Sequence, residues 1–342
     1  MGITTKDIAR IAGVSQSTVS RCLNNSPLIS KETREKVLKI ADDLQFEFNA
    51  SARSLSTSRT NTIGIIYPDD YIEFGVNLYF GSLHTQIREI LEKENIDLII
   101  AFKENRYTKT DTIKRLVSQR KVDGLIIALS DVDKKTIEFL TKSKIPYVFL
   151  HFHQISTNLN SVNQIYADHL YGGYVATKHL INLGHENIIC ISANGGYEFH
   201  LRREGYKKAL QENNIKVKQE FLLYGDRTFK SGYNLVIDNF ELIKSATAIF
   251  AHTDIMALGA IEALKERNVN VPHQISIVGY DDIELASYFT PHLTTIHQPR
   301  EEIALLATNH LLDLIESKSV SKGEEIKIKP TLMIRDSCNR IN

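Results

Sequence analysis

The 342-residue chain has no tryptophan, only three methionines, three cysteines and seven prolines, and its 41 basic residues balance its 41 acidic ones. Each shortage excludes something. Cys22, Cys190 and Cys338 are far apart and odd in number, and no Cys-x-x-Cys pair occurs. Neither a disulfide framework nor a zinc site is therefore expected. No stretch approaches the roughly 20 apolar residues of a membrane-spanning helix. The N-terminus lacks the apolar core of a signal peptide, so a cytoplasmic location is expected. A phosphate loop, a spaced-glycine dinucleotide fingerprint and a nucleophile elbow are all missing. Gly195-Gly196 reads as a turn and Leu183-Gly184-His185 as a helix end and ordinary turn. His151-x-His153 is a weak metal motif, and no metal or cofactor is expected.

What is present begins at Thr4. The length leaves room for a small module plus one large or two medium domains, and residues 4–24 read as two short helices around a tight turn. Thr4 is an N-cap candidate with Asp7 three residues on, and Ile8, Ile11 and Ala12 recur at helical spacing. Gly13 permits the turn. Ser15 then caps a second helix that buries Val19 and Leu23. Gln16, Ser17, Thr18, Ser20 and Arg21 stay on its outer face. Small hydroxyls reach phosphates without bulk, whereas Gln and Arg can grip base edges with two hydrogen bonds. Such a surface suits a helix-turn-helix. Ser30 caps a third helix, in which Val37, Ile40, Ala41 and Leu44 close a core over Ile8 and Val19. Residues 1–60 hold nine basic against six acidic side chains, a mild positive footprint on a slightly negative remainder.

From Thr62 the pattern changes. Ile63–Tyr67, Ile96–Ile100, Leu125–Ala128 and Tyr147–Leu150 are short apolar runs separated by amphipathic helices. Ile188–Ile191, Ala248–Phe250 and Ile275–Val278 repeat the theme. Continuous apolar strands point to parallel sheets buried on both faces, hence two doubly wound halves.

Asp7-Ile8-Ala9, Ala12-Gly13-Val14-Ser15 and Ser17-Thr18-Val19-Ser20-Arg21 closely resemble the opening of the lac-repressor (LacI/GalR) family of bacterial transcription regulators. The resemblance continues through Ala52-Arg53-Ser54-Leu55, Thr62-Ile63-Gly64, Leu183-Gly184-His185, Met256–Ala260, Val278–Asp282 and Leu293–Ile296. It spans essentially the whole chain in order. It implies an α/β protein with an N-terminal three-helix, lambda-repressor-like helix-turn-helix head (1–48), a hinge helix and linker (49–60), and a periplasmic-binding-protein-like core of two lobes (61–342). By that mapping the N-lobe is about 61–164 plus 297–320, and the C-lobe 165–296 plus 321–342.

The resemblance also implies site residues. Gln16, Ser17 and Arg21 would read bases, while Thr4, Ser15, Thr18, Ser20 and Asn24 would hold the DNA backbone. Asn49, Ala52, Arg53 and Leu55 would form the minor-groove hinge, with Leu55 as an apolar wedge; a flexible linker is the alternative, since so short a helix is marginal alone. Effector candidates are Tyr71, Phe74, Arg202, Thr253, Asp281 and Gln298, with Arg203 as the alternative to Arg202. An Asp and an Arg facing each other across a cleft would suit a neutral polyhydroxylated ligand, and Asp282 would sit at a helix N-terminus.

The expected function is a sequence-specific repressor of carbohydrate-utilisation genes. It would bind a pseudo-palindromic double-stranded operator as a homodimer under control of a sugar-like effector. Activation, a purine or a protein corepressor, and a tetramer stay open. A solute-binding protein on the same lobes would need an export signal, and an enzyme a catalytic constellation.

Overall fold

The computed structural model describes residues 3–23, 26–46, 59–69, 74–151, 162–317 and 323–341, with backbone alone at 74–77. The head contains α1 (Thr5–Ala12), α2 (Gln16–Leu23) and α3 (Lys31–Asp43). Thr4 forms the expected capping box with Asp7, and Gly13 closes α1 at φ 70°. Ser15 Oγ accepts from the Thr18 amide at 3.1 Å, and Ser30 Oγ from that of Thr33. The core of the head is Ile8, Ala9, Ala12, Val19, Cys22, Val37 and Ala41, with Leu23, Ile40 and Leu44 partly buried. Ile11 is half-exposed instead, at 51 %. The helical phase of α1 gives the third inward position to Ala9.

The remainder runs β1 (Thr62–Tyr67), α4 (Phe74–Lys93), β2 (Asp97–Phe102), α5 (Thr112–Ser118), β3 (Gly124–Ile127), α6 (Lys134–Ser143), β4 (Tyr147–Leu150), β5 (Gln164–Ala167) and α7 (His169–Asn182). It continues with β6 (Ile188–Ala193), α8 (Tyr197–Glu212), β7 (Leu222–Gly225), α9 (Phe229–Asp238), α10 (Phe240–Ile243), β8 (Ala248–Ala251) and α11 (Asp254–Glu266). The chain closes with β9 (Ser276–Asp281), β10 (Thr294–His297), α12 (Arg300–Ser317), β11 (Glu325–Ile328) and β12 (Thr331–Met333). No helix among the described residues is long and apolar enough to cross a membrane.

Two six-stranded sheets result, ordered β11-β5-β4-β3-β1-β2 and β12-β10-β9-β8-β6-β7. All described pairings are parallel except β10 with β12. The period-2 alternation of side chains gives each sheet two apolar faces. In the first lobe Ile63, Ile65 and Tyr67 meet α4 and α12, while Ile66, Leu125 and Ile127 meet α5 and α6. In the second, α7 and α8 cover one face and α9, α10 and α11 the other.

The lobe limits differ from the expected ones. β5 pairs with β4 and with β11, Ile165 lying opposite Ile326. Residues 165–167 and 325–328 therefore belong to the first sheet, not to the C-lobe. The chain crosses after Ala167, after His297 and between Ile328 and Thr331. β5 is a short, fully buried run whose pairing partners sit far away in sequence, so local pattern cannot place it. His185 is no ordinary turn residue either. It is buried between Thr247 Oγ1 and the Asn339 carbonyl, each 3.0 Å away, and ties the C-terminal segment to the second lobe.

Candidate functional site

The head presents Thr4, Ser15, Gln16, Ser17 and Arg21 as exposed side chains, with Thr18 and Ser20 half-buried. Several already have internal partners. Gln16 Nε2 donates to Thr5 Oγ1 at 2.9 Å. The Ser15 hydroxyl lies 2.7 Å from that of Ser17 and 2.8 Å from that of Thr18. The Thr4 hydroxyl donates to Asp7 Oδ2 at 2.7 Å. α2 thus offers a hydroxyl-lined, uncharged surface ending in Arg21. Asn24, Asn49, Ala52, Arg53, Leu55 and Tyr71 lie outside the described residues, as does the side chain of Phe74, the first residue of α4.

Between the lobes lies a cleft holding about 850 Å³ of empty space, its open mouth included. Its lining comes largely from residues just past strand C-termini, where ligands collect on open α/β sheets. Pro68 follows β1, Ala128 and Ser130 follow β3, His151 follows β4, Arg227 follows β7, Thr253 follows β8, and Asp281 ends β9. Gln298 follows β10, and α4 supplies Tyr79 and Phe80.

Four of the expected effector residues meet here. Gln298 Nε2 donates to Asp281 Oδ1 at 2.7 Å. The same oxygen lies 3.6 Å from Arg202 Nη1. Arg202 is 3 % exposed. It also donates to the His252 carbonyl, and its guanidinium lies 3.6 Å from the centre of the Tyr280 ring. Thr253 lines the cleft, but its hydroxyl is used to cap α11, accepting from the Met256 amide at 3.2 Å. The alternative Arg203 is excluded from this group, because its guanidinium is drawn to Ser192 Oγ at 2.7 Å. Arg202 and Asp281 do not face each other across the cleft as expected. Both sit in the second lobe, on α8 and at the end of β9, and form a local pair.

Burial raises the Asp281 carboxyl pKa, while Arg202, Gln298 and Arg300 hold it down. Behind it the fully buried Asp254 carboxyl is pushed up to about 7, first by burial and then by the Asp281 charge. Asp254 accepts from Thr295 Oγ1 at 2.5 Å and from the Ile283 amide at 2.9 Å. Asp282 is not a helix N-terminal residue. Its carboxylate accepts from Arg335 at 2.6 Å and faces His297 Nδ1 at 3.0 Å. Asp281 and Asp282 have φ of 120° and 53°. A non-glycine residue costs about 1–3 kcal/mol in such a region and persists only where its surroundings fix it.

Sequence reasoning missed several lining residues. His151 is buried at φ 64°, 3.3 Å from the Tyr79 hydroxyl; its position one residue past β4 was the available signal. Arg227 carried the same signal after β7. Glu198, Phe199 and His169 come from the starts of α8 and α7, and no local pattern marked them. Burial raises the Glu198 carboxyl pKa, with Arg202, Arg227 and the Ser130 hydroxyl among the groups opposing it.

Comparison with known proteins bears on this arrangement. Residues 4–49 match the model described as bacterial regulatory proteins, lacI family, and residues 177–338 a periplasmic binding protein-like domain. The HTH-type transcriptional repressor PurR of Vibrio vulnificus is 34% identical, the match covering 99% of either chain. A lac repressor dimer bound to operator and the anti-inducer ONPF superimposes with a TM-score of 0.80 at 27% identity, over 99% of this chain and 100% of that one. A LacI family regulator from Enterococcus faecium with bound ribose gives 0.70 at 31% identity, over 82% and 100%. The helix-turn-helix head, the two-lobed core and full-length similarity to repressors together establish that this chain belongs to the lacI family of bacterial regulatory proteins, as a DNA-binding transcriptional repressor and not an enzyme.

Proposed function

We propose that operator binding by this repressor is controlled by a polyhydroxylated effector of monosaccharide size, bound between the lobes of a homodimer on a pseudo-palindromic operator. The convergence of Arg202, Gln298 and Asp281 on the cleft floor carries the reading. A sugar hydroxyl both donates and accepts. The Asp281 carboxylate can take two neighbouring hydroxyl protons. Gln298 turns its amide nitrogen to Asp281, and its Oε1 has no hydrogen-bond partner among the described residues. Tyr79, Phe80 and Phe199 supply apolar surface for ring C–H groups. The ribose in the Enterococcus faecium relative supports the same class.

The relatives named PurR make a purine base the competing ligand. A flat base is best held between parallel planes, whereas Tyr79 and Phe80 meet edge-on at 73° and Tyr79 meets His151 at 62°. These three neighbouring rings do not form a parallel pair among themselves. On the DNA, Gln16, Ser17 and Arg21 read bases, and the segment containing Leu55 enters the minor groove. Closing the lobes on the ligand changes how the two linkers meet, with a coupling of about 1–3 kcal/mol.

A thermal-shift screen of D-ribose, other sugars and purine bases tests this. A ligand at a hundred times its dissociation constant adds about 2.7 kcal/mol. Stabilisation by a sugar, lost in Arg202→Ala, is the expected result. Stabilisation by a purine and by no sugar would overturn it.

A further inference from the structure

The two ends of α12 make hydrogen bonds at places the fold keeps far apart. Arg300, its first residue, is 7 % exposed. Its Nη1 donates to the Asp281 carbonyl at 2.7 Å and its Nη2 to the Asp282 carbonyl at 2.9 Å. These are the two carbonyls of the left-handed pair whose first side chain lies on the cleft floor. A planar guanidinium fork holds both at once from two nitrogens in fixed directions, where a lysine offers one flexible nitrogen. The position is otherwise a poor one for a cation, because a helix N-terminus carries positive partial charge. The carbonyls account for it.

At the far end, the Ile315 carbonyl belongs to the last turn of α12, where carbonyls lack a partner within the helix. It accepts from Arg59 Nη2 at 3.0 Å. Arg59 stands where the linker from the head joins the core. The next two residues are anchored beside it, with the Thr60 and Asn61 amides each donating to the Asp123 carboxylate at 2.7 Å. Leu311 and Ile315 lie directly over Gly124, the neighbour of Asp123. Between its ends α12 buries Ile303, Ala304, Ala307 and Leu311 in the first-lobe core. Eighteen residues make a rod of about 27 Å.

We propose that α12 is a strut joining the effector cleft to the DNA-side linker. Arg300 is the positioning residue that fixes Asp281 and Asp282, and Arg59 is its counterpart at the linker. A shift of the β9 end moves Arg300, and the buried helix carries that motion to Ile315 and residues 59–61. The proposal holds whatever ligand occupies the cleft.

Amide hydrogen exchange on the full chain, with no effector or DNA, tests it in wild type, Arg300→Gln, Arg300→Lys, Arg59→Ala and the control Lys134→Ala. The reporters are Thr60 and Asn61 at one end and Ile283, bonded to Asp254, at the other. Arg59→Ala should speed exchange at Ile283 at least threefold as well as locally. Arg300→Gln should speed Thr60 and Asn61 by a similar factor, Arg300→Lys should fall between, and Lys134→Ala should change neither end. A strut must pass motion both ways, so a remote effect in one direction only, or in neither, overturns it. Arg59 is exposed, so its variant decides the matter even if the Arg300 variants do not fold. Because no ligand enters the assay, failure of the sugar reading leaves this result standing, and the reverse also holds.

Discussion

Gly173→Ala tests how firmly the effector site depends on one helix crossing. α7 and α8 touch backbone to backbone: a Cβ on Gly173 would lie 2.2 Å from the Arg202 carbonyl oxygen, and one on Gly205 2.2 Å from that of Leu170. The obstacle is main chain on both sides, so no side chain can swing away. The helices must part by about 1 Å to reach ordinary contact distance in a close-packed interior. Overpacking of this kind costs about 1–3 kcal/mol, and a backbone clash belongs at the upper end. Replacing a helical glycine by alanine returns about 1 kcal/mol. The net loss is about 2 kcal/mol, or about 4–8 °C in Tm for a domain of this size.

The same displacement carries Arg202 away from the His252 carbonyl and from Asp281. Losing one hydrogen bond to a charged group costs about 1.5–3 kcal/mol, so effector affinity should fall by tenfold or more. Thermal and urea unfolding give the first quantity, and titration of the effector identified by the thermal-shift screen gives the second. A variant within 1 °C of wild type with unchanged ligand affinity would refute the reasoning.

Further predictions concern the other parts of the molecule. Asp254 binds its proton more tightly folded than unfolded, so its own contribution to stability should fall as pH rises from about 4 to about 7. Asp254→Asn removes that titration, and chemical denaturation across pH 5–8 should show the variant gaining on wild type as pH rises. Ser15→Ala removes the cap on α2 and should cost about 1 kcal/mol of head stability, read by thermal unfolding of the full chain. Leu55→Ala should weaken operator binding and leave effector affinity nearly unchanged; equal operator affinity in gel-shift titration would sink the minor-groove role. Arg21→Ala should cost about 1–3 kcal/mol on the operator and relax base preference at one position.

Much of this was written locally. Thr4 with Asp7, Ser15, Ser30 and the left-handed Gly13 mark the ends of the head helices through short-range hydrogen bonds, so spacing alone locates them. Apolar runs such as Ile63–Tyr67 and Ile188–Ile191 announce parallel strands because both faces of each are buried. Asp281, Arg202 and Gln298 were nameable from their motif positions, yet nothing local told that Arg202 and Asp281 pair with each other. The lobe limits were misjudged for a similar reason: β5 gains its place from β11, some 160 residues away in sequence. His151, Glu198 and Arg227 become cleft residues only when strand ends and helix starts from both sheets converge. The sequence by itself determined the head helices, their caps and the long apolar inner strands, which depend on neighbours a few residues apart. The tertiary structure alone decided which buried charges pair, where the chain crosses between lobes, and that one helix touches both the cleft floor and the linker, because those contacts join residues whose separation along the chain carries no periodic signal.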